Sequence, residues 1–548
     1  MINWLAYAVN WMLNGLFDVY SFHRFIHLAK RPRHTQIALL KRILRDNKDS
    51  QFGRTHRFEF IRDVGEFQSQ VGLSTYNSIQ HELRLQESTG KHLLCGRQFV
   101  YLNHNADPTN HKAFPFTVNA LRDARRDVRL TAYAWLRRYG LWRNQVFTML
   151  EDEPMSFSNT GLPQGTTAGF VYRNLPAFML RRCITNAEIA AIKDSQSRTL
   201  AHAIVALAET NVSCMLTANP ATFIHLLDVI HQNFDEICDA IENGTLPERV
   251  QSEIRGERLI RANSRRASEL RTLMEQENRL TFGDFWPKLR GVICWTAGSC
   301  GSSVRFLRTQ LPSGTPVLEL GYQPSASIGA INVDTKTNAC LLSFRYNFYE
   351  FAERSPWEAG FGQLKLLDEL VVGQEYYVLI TTRSGLYRLQ TDQIVRVTGR
   401  VHNTPTFEFV QNGLSSTNIH GERLAESDVI RAIEKLNAEH GCEIDQFLML
   451  SDAINKRYEL YVETENVAEP ELVANWFDSA LASCNSEWAV KRMAERLQAT
   501  EVHRVPTGTI NSLRMRSIRD GFAEPLFVFP HLQSREDIAA DTLGALVL

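Results

Sequence analysis

A polar segment with two histidines, an aspartate and a lysine carries the residues of this chain that are best suited to proton transfer. It follows a strand-like apolar run that ends at Leu102, and a helical pattern begins after it, near Thr117. Histidine exchanges protons near neutral pH, and a neighbouring lysine or carboxylate adds charge. The alternative is a polar surface loop whose side chains only form caps and turns. The candidate catalytic residues of this segment are His104, Asp107, His111 and Lys112.

A second segment, residues 376–426, contains the elements that we expect at the seam between two domains. Three apolar runs between residues 377 and 410 are bounded by turn residues, which predicts three short antiparallel strands. A helical pattern then starts at Glu426. A strand unit that leads into an αβ segment is typical of a domain seam. We therefore predict one domain over residues 1–410 and another over residues 411–548.

Composition and charge exclude several classes of function. The chain has 548 residues, of which 44% are hydrophobic and 22% charged, and this is ordinary for a globular protein of two or more domains. A net charge of −1 makes nucleic acid and anionic membranes poor partners. Nine cysteines without a C-x-x-C pair suggest reduced thiols, with neither a zinc site nor a disulfide framework. We expect a cytoplasmic protein with no transmembrane segment.

The string TTRSGLYRLQTDQIVRVTGR, which ends at Arg400, resembles the signature T-T-x-x-G-L-Y-R-Y-x-x-G-D-x-V-x-V-x-G. That signature belongs to the Gretchen-Hagen-three acyl acid amido synthetases, which join a carboxylic acid to an amine through an acyl-adenylate. The resemblance covers nearly the whole chain. It implies an α/β fold with a large N-terminal adenylate-forming domain, built of a β-barrel and αβ sheets, and a smaller C-terminal α+β lid domain.

The segment that should bind the phosphates of ATP departs from the family. The family has T-S-G-T-T-x-G-x-x-K-x-I-P-x-T, and this chain keeps the lysine, proline and threonine as Lys112, Pro115 and Thr117. Both glycines and the hydroxyl residues that should precede the lysine are missing. A phosphate loop needs glycine so that backbone N–H groups can approach the phosphates. In addition, Asp107 adds negative charge and Pro108 removes a donor.

Other positions that the family uses for nucleotide and metal are also changed. In the motif G-Y-x-x-S-E the chain keeps Tyr322 and Ser325, but the glutamate that helps to hold Mg²⁺ is Ala326. The ribose-binding aspartate is Gln393, with Asp392 one residue earlier. The positions of a C-terminal arginine and of the catalytic lysine are also replaced, and they are Gln411 and Val528.

The resemblance also implies substrate-binding residues. We assign this role to four side chains, and we add Asp392 to the catalytic candidates because we expect it to face the histidine segment together with Tyr322. No metal ligand is predicted. The four predicted substrate-binding residues are Tyr322, Ser325, Glu350 and Arg388.

A rival phosphate loop occurs at Ser158 to Gly165, which superficially resembles the wider superfamily's S-G-T-T-G-x-P-K-G with Gln164 in place of the lysine. Short glycine motifs recur by chance. The preferred interpretation is a turn between a strand and a helix in the substrate-binding domain.

Three functional hypotheses follow. Removing one group that stabilises a transition state costs about 2.7–4 kcal/mol, so losing five should abolish acyl-adenylate formation. The first hypothesis is an ATP-independent enzyme, without cofactor, that cyclises, dehydrates, hydrolyses or transfers a small acyl or carboxyl compound of secondary metabolism. The second is a non-catalytic pseudoenzyme that binds a small acid or a protein partner. The third is an active synthetase with a rebuilt site for ATP and Mg²⁺. We expect a monomer or a homodimer, and a carrier protein is a candidate partner.

Overall fold

The structure is a computed structural model in which helices and sheets alternate along the chain. No helix among the described residues is long and apolar enough to cross a membrane. The described residues are 18–105, 111–136, 140–150, 156–184, 187–254, 259–277, 279–327, 329–413, 415–463, 469–519, 522, 526–538 and 546.

The described strands fall into five sheets. In chain order they are β1 (Phe99–His104), β2 (Ala113–Thr117), β3 (Gln145–Thr148), β4 (Ser156–Phe157), β5 (Pro163–Thr166), β6 (Val212–Leu216), β7 (Val292–Cys294), β8 (Val317–Glu319), β9 (Ala330–Asp334), β10 (Ala339–Leu342), β11 (Phe348–Glu353), β12 (Leu364–Lys365), β13 (Glu375–Thr381), β14 (Leu389–Val401), β15 (Thr404–Asn412), β16 (Ser416–Thr417), β17 (Leu424–Ala425), β18 (Gln446–Asp452), β19 (Arg457–Glu463), β20 (Glu501–Val505) and β21 (Leu532–Ser534).

The helices pack around these sheets, and the first of them is described from residue 18. In chain order they are α1 (residues 18–28), α2 (Pro32–Asn47), α3 (Gln51–Thr55), α4 (Val64–Gln70), α5 (Tyr76–Thr89), α6 (Val118–Leu136), α7 (Thr167–Arg173), α8 (Ala177–Leu180), α9 (Ala187–Ala190), α10 (Ser195–Ala208), α11 (Ala221–Gln232), α12 (Phe234–Asn243), α13 (Glu248–Gln251), α14 (Ser264–Gln276), α15 (Phe282–Phe285), α16 (Gly301–Thr309), α17 (Arg354–Glu358), α18 (Glu426–His440), α19 (Pro470–Cys484), α20 (Ser486–Met493) and α21 (Thr509–Arg519).

Strand order separates the sheets by type. A parallel sheet has the order β3-β6-β7-β8, and a seven-stranded, largely antiparallel sheet has the order β12-β11-β13-β14-β15-β10-β9. A third sheet, β2-β1-β5-β4, carries the histidine segment. The three strands predicted after Tyr376 are confirmed as β13, β14 and β15, although β14 is a long strand of 13 residues and not a short one. The helix predicted from Glu426 is α18.

Density of contacts divides the chain into two units. The first contains residues 1–218, 226–295 and 311–409, and the second contains residues 219–225, 296–310 and 410–548. The second unit has its own sheet, β20-β19-β18-β21, whose apolar side chains pack against α18 and α19 in one core. We keep the single boundary after residue 410 as a proposal.

A buried ion pair links the seven-stranded sheet to α4 in the first unit. Arg388 precedes β14 and is 5% exposed, and Glu350 on β11 is 1% exposed. The Arg388 Nε donates to both oxygens of the Glu350 carboxylate at 3.2 and 3.1 Å. A second guanidinium nitrogen of Arg388 donates to the carbonyl oxygens of Gln68 and Val71 at 2.9 and 2.7 Å. The end of α4 is thereby tied to the sheet.

We expect Arg388→Ala to lower the free energy of unfolding by about 3–5 kcal/mol, because it leaves the Glu350 carboxylate buried without its cation. Arg33→Ala is the matched control, since Arg33 makes exposed pairs with Asp368 and Glu369 and such pairs contribute roughly 0–1 kcal/mol. Urea unfolding followed by tryptophan fluorescence measures both variants. Equal losses in the two variants would contradict a structural role for the buried pair.

Candidate functional site

The histidine segment closes a β-hairpin. His104, at the end of β1, pairs with Ala113, at the start of β2. Beyond them the Asn105 N–H donates to the Lys112 carbonyl oxygen at 3.1 Å, and the Lys112 N–H donates to Asn105 Oδ1 at 2.8 Å. The segment before Thr117 was expected to be a loop, but residues 113–117 form β2, and α6 starts directly after it. Asp107 lies outside the described residues.

His104 and His111 form a ring pair at the base of this hairpin. Their ring centroids lie 4.5 Å apart, with an angle of 45° between the planes. Burial of the imidazole, with a further contribution from His111, lowers the pKa of His104 to about 4, and a side-chain hydrogen bond with Gln164 opposes the shift. His104 is therefore a neutral imidazole at pH 7. Its Nδ1 is buried and has no hydrogen-bond partner among the described residues.

The residue before His104 faces the other side of the sheet. Successive side chains of a strand point to opposite faces. The Asn103 Nδ2 donates to Thr167 Oγ1 at 2.8 Å and to the Ser325 carbonyl oxygen at 2.7 Å. The loop that contains Ser325 therefore contacts the Asn103 face of β1, and the two histidines lie on the opposite face.

Tyr322 contacts two residues of the seven-stranded sheet. Its hydroxyl donates to Gln393 Oε1, and its ring stacks on Phe409 with centroids 5.9 Å apart. Burial raises the pKa of the Tyr322 hydroxyl, which is therefore a neutral donor. Ala326 is 7% exposed and packs in the same apolar cluster as Tyr322.

A bulge in β14 contains Asp392. Gln390 pairs with Leu379 and Ile394 pairs with Tyr377, so the residues between them bulge out of the ladder. Asp392 has a φ of 55° in the left-handed region. Burial and then the Glu358 carboxylate raise the pKa of Tyr377, and the charge of Asp392 adds to the rise. Asp392 thus lies near Tyr377, while Gln393 reaches Tyr322. The expected catalytic role of Asp392, facing the histidine segment, stays a prediction.

The remaining predicted substrate residues, Arg388 and Glu350, are the buried ion pair between β14, β11 and α4. Their charged groups hydrogen-bond to each other and to backbone carbonyls. Lys112 is held through its backbone at the hairpin end. Their proposed roles in binding and catalysis stay predictions.

The rival phosphate loop is a turn between two antiparallel strands. Ser156 pairs with Gln164 and Phe157 with Pro163, so residues 158–162 form the tip of the β4–β5 hairpin. The turn was expected between a strand and a helix, but α7 begins only after β5. A phosphate loop places its N–H groups at the start of a helix, and this tip is not placed in that way.

A cleft of about 670 Å³ lies beside the histidine pair. Its walls are the outer face of α5, the Leu102 face of β1 and β2, and the β4–β5 tip, and His111 and Gln164 line it. The Thr160 Oγ1 donates to Glu87 Oε1 at 2.6 Å and joins the tip to α5. This volume is in the range of sites for small organic molecules, which is about 300–1,000 Å³.

Two positions that the family resemblance assigns to metal and phosphate carry residues unsuited to those groups. Ala326 has no oxygen ligand for a hard cation, and the described hairpin residues lack the glycines that phosphates require. One group in the second unit, Glu459, Glu501 and His503, has ligand atoms within 4.8 Å of one another. Arg535 pairs with Glu459 at 2.5 Å, and Arg457 pairs with Glu459 and Glu501, so the carboxylates are already neutralised by arginines.

Sequence reasoning missed three residues of this region. Asn103 lies in an apolar strand, where a buried amide is itself a signal. Gln393 was noted only as a lost aspartate, and Gln164 only as a lost lysine. Both were noted only because the family residue is missing there. In the structure, Gln393 hydrogen-bonds to Tyr322, and Gln164 hydrogen-bonds to His104.

Comparisons with known proteins agree with this architecture. Residues 21–317 match the GH3 (Gretchen-Hagen-three) family N-terminal domain, residues 340–412 the GH3 family central domain, and residues 427–534 the GH3 family C-terminal domain. The AtGH3.15 acyl acid amido synthetase in complex with 2,4-DB superposes with a TM-score of 0.81 at 18% identity, over 96% of this chain and 95% of that one. The predicted family and the mixed α/β fold, with a large N-terminal and a smaller C-terminal domain, are confirmed.

Two relatives by sequence carry the names of synthetases. Indole-3-acetic acid-amido synthetase GH3.4 of Arabidopsis thaliana is 25% identical over 57% of this chain and 54% of its own length. Jasmonoyl–L-amino acid synthetase JAR4 of Nicotiana attenuata is 21% identical over 92% of this chain and 91% of its own length. The chain thus spans about half of the first relative and most of the second. These names lend no support to the expectation that no cofactor is needed.

We expect the acid sensitivity of the fold to fall in His104→Asn. Between pH 6.5 and pH 4 the unfolded state binds a proton at this histidine and the folded state does not, so the site favours unfolding as the pH falls through that window. Melting temperatures at pH 7.5 and 4.5 measure the effect, and the difference between them should shrink in the variant. His34→Asn, at an exposed position, should keep the wild-type difference. If both variants match the wild type, His104 is not a buried neutral imidazole.

Proposed function

The chain belongs to the GH3 family, and on that premise we propose that it acts on the acyl group of a small carboxylic compound without forming an acyl-adenylate. The observation that carries the proposal is the histidine pair, His104 and His111, beside a cleft of about 670 Å³. The pair occupies the segment that the family uses for phosphates. The relatives are named as amido synthetases of different acids, which supports an acid or its derivative as the substrate and leaves the particular acid open.

The residues at the nucleotide positions support an ATP-free reaction. The ribose position is an amide, Gln393, that already accepts from Tyr322. The position of the magnesium ligand is a buried alanine, Ala326. Transfer of a nucleotidyl group needs cations and donors around the phosphorus, and these side chains supply neither. The substrate must then arrive already activated, as a thioester, an ester or an acyl phosphate.

His111 is the group placed to move a proton in this reaction, because it lines the cleft. As a nucleophile such as water or an amine bonds to the carbonyl carbon, an imidazole nitrogen of His111 takes the nucleophile's proton. The bond to the leaving group then breaks, and the imidazolium returns the proton to that group. His104 does not line the cleft. Its ring packs against His111 and is oriented by Gln164, so it is a positioning residue.

The ATP-dependent amido synthetase is the second candidate, and it is the function that the relatives fit best. The observation in its favour is the extent of the match, since JAR4 aligns over 92% of this chain. In that case ATP and Mg²⁺ would be required, with a nucleotide site rebuilt from other residues. A pseudoenzyme remains the alternative without chemistry. A carrier-protein partner, a role in secondary metabolism and a cytoplasmic location stay proposals.

We expect no heat of binding when the protein is titrated with Mg-ATP to millimolar concentration. We also expect no exchange of pyrophosphate into ATP in the presence of indole-3-acetate, jasmonate or benzoate. The AtGH3.15 synthetase with 2,4-DB serves as the positive control in the same buffers. A dissociation constant below about 100 µM, which corresponds to roughly −5.5 kcal/mol, would overturn the ATP-free proposal in favour of the synthetase. Acid-dependent exchange would do the same.

We expect the protein to hydrolyse p-nitrophenyl butyrate, an activated acyl probe, and His111→Asn to lower kcat by about 10²-fold or more. Release of p-nitrophenolate measures the rate between pH 6 and 9. His34→Asn is the matched control and should keep full activity. Activity that is absent in the wild type, or unchanged in His111→Asn, would favour the pseudoenzyme.

A further inference from the structure

The cleft beside the histidine pair lies on the opposite face of β1 from the loop of Tyr322 and Ser325. Leu102 and His104 share one face of the strand, and Asn103, between them, contacts Ser325 on the other. In β2, Ala113 and Pro115 line the cleft together with Leu102. The side chains that border this cleft are therefore a different set from those of the nucleotide motifs.

One wall of the cleft is a single face of α5. Positions 81, 84, 85 and 88 follow the i, i+3, i+4, i+7 spacing of one helix face. His81, Arg84, Leu85 and Ser88 all line the cleft. The opposite face of α5 packs into the protein through the buried residues Ile79 and Gln86, while Leu83, also buried, lies at the edge of the cleft lining. The helix is therefore anchored on one side and presents a basic, partly apolar face to the cleft on the other.

One arginine of the cleft lining can contact an anion. Arg84 is exposed, and it has neither an ion pair nor a hydrogen bond within the described part of the chain. The lining also contains one carboxylate, Glu87, which accepts a hydrogen bond from Thr160 at 2.6 Å. The donors of Arg84 therefore stay available to a ligand, and its planar group suits carboxylate and phosphate oxygens.

The remaining lining favours an apolar body next to that charge. Leu85 and Phe157 are 39% and 59% exposed, and both line the cleft, so each presents a large apolar surface to it. They belong to opposite walls, on α5 and on the β4–β5 tip. Phe99, Leu102 and Pro115 lie between them. A ligand that covers this surface must be apolar over much of its length.

We propose that this cleft binds a small organic anion, namely an apolar acyl chain or ring that carries one carboxylate or phosphate group. Arg84 is the contact of the charged group, and Leu85 and Phe157 cover the apolar body. The proposal deepens the proposed function and rests on it only in taking the cleft as the substrate site. The acyl substrate would then be one whose charged group is bound on α5 while its carbonyl carbon lies toward His111.

The test uses two fluorescent probes with the same rings, 8-anilinonaphthalene-1-sulfonate and the neutral N-phenyl-1-naphthylamine. We expect Arg84→Ala to weaken binding of the sulfonate about tenfold, as for loss of one charge-assisted contact, and to leave the neutral probe unchanged. Asn159→Trp, at the exposed tip, should weaken both probes by filling the cleft. Arg62→Ala, at an exposed arginine that does not line the cleft, is the control and should change neither.

Two results would overturn the proposal. An unchanged sulfonate affinity in Arg84→Ala would show that Arg84 is not the anion contact. Unchanged affinities of both probes in Asn159→Trp would show that the dyes bind elsewhere. Neither probe contains a reactive acyl group, so the titrations do not depend on catalysis. Pyrophosphate exchange would therefore overturn the ATP-free function and leave the anion site to be judged by the dyes alone.

Discussion

The alternation of side chains along β1 is the constraint on which the organisation of the first unit depends. Asn103 and His104 are neighbours in the chain, yet one contacts the Ser325 loop and the other packs against His111. Beyond the irregularity between Phe99 and Tyr101, successive residues of β1 point to opposite faces. The end of this strand therefore separates the side that contacts the Ser325 loop from the side that borders the cleft. A substitution at Asn103 would therefore change the side of β1 that contacts the Ser325 loop, and a substitution at His104 would change the side that packs against His111.

The most recognisable stretch of the sequence serves mainly to hold the first unit together. Arg388, within the signature, donates hydrogen bonds to Glu350 and to two carbonyl oxygens at the end of α4. Gly385 has a φ of 89°, and a Cβ there would lie 2.8 Å from the Cβ of Leu94, so only glycine suits this turn. Packing explains why these residues resemble the family signature. Retention of the signature is therefore evidence for the fold and gives little information on the reaction.

The sequence predicted elements well where the pattern is long or where a motif sets the position. The helix from Glu426 is an example of the first case, because apolar periodicity over its 15 residues leaves few alternatives. The strands after Tyr376 are an example of the second, because the family signature and the turn residues set their position. The residues of the site were harder to predict from the sequence. A bulge shifts the register of β14, and a bulge cannot be read from the sequence. We therefore predicted a site role for Asp392, whereas Gln393 is the residue that contacts Tyr322. The cleft was invisible for another reason, since Arg84, His111 and Phe157 come from three segments that only the tertiary fold brings together.

The hydrogen bond between Thr160 and Glu87 has a consequence for how a ligand enters the cleft. It is an exposed contact between a turn and a helix, and it is the link recorded between the β4–β5 tip and α5 in the described chain. A hydrogen bond to a charged group contributes about 1.5–3 kcal/mol, which corresponds to a closed-to-open ratio of roughly 13 to 160 for this contact alone. The contact would then be broken for a minor fraction of the time, on the timescale of loop motion. Entry and exit of a ligand would then depend on the breaking of the hydrogen bond between Thr160 and Glu87 within the first unit. They would not require the rotation of a domain.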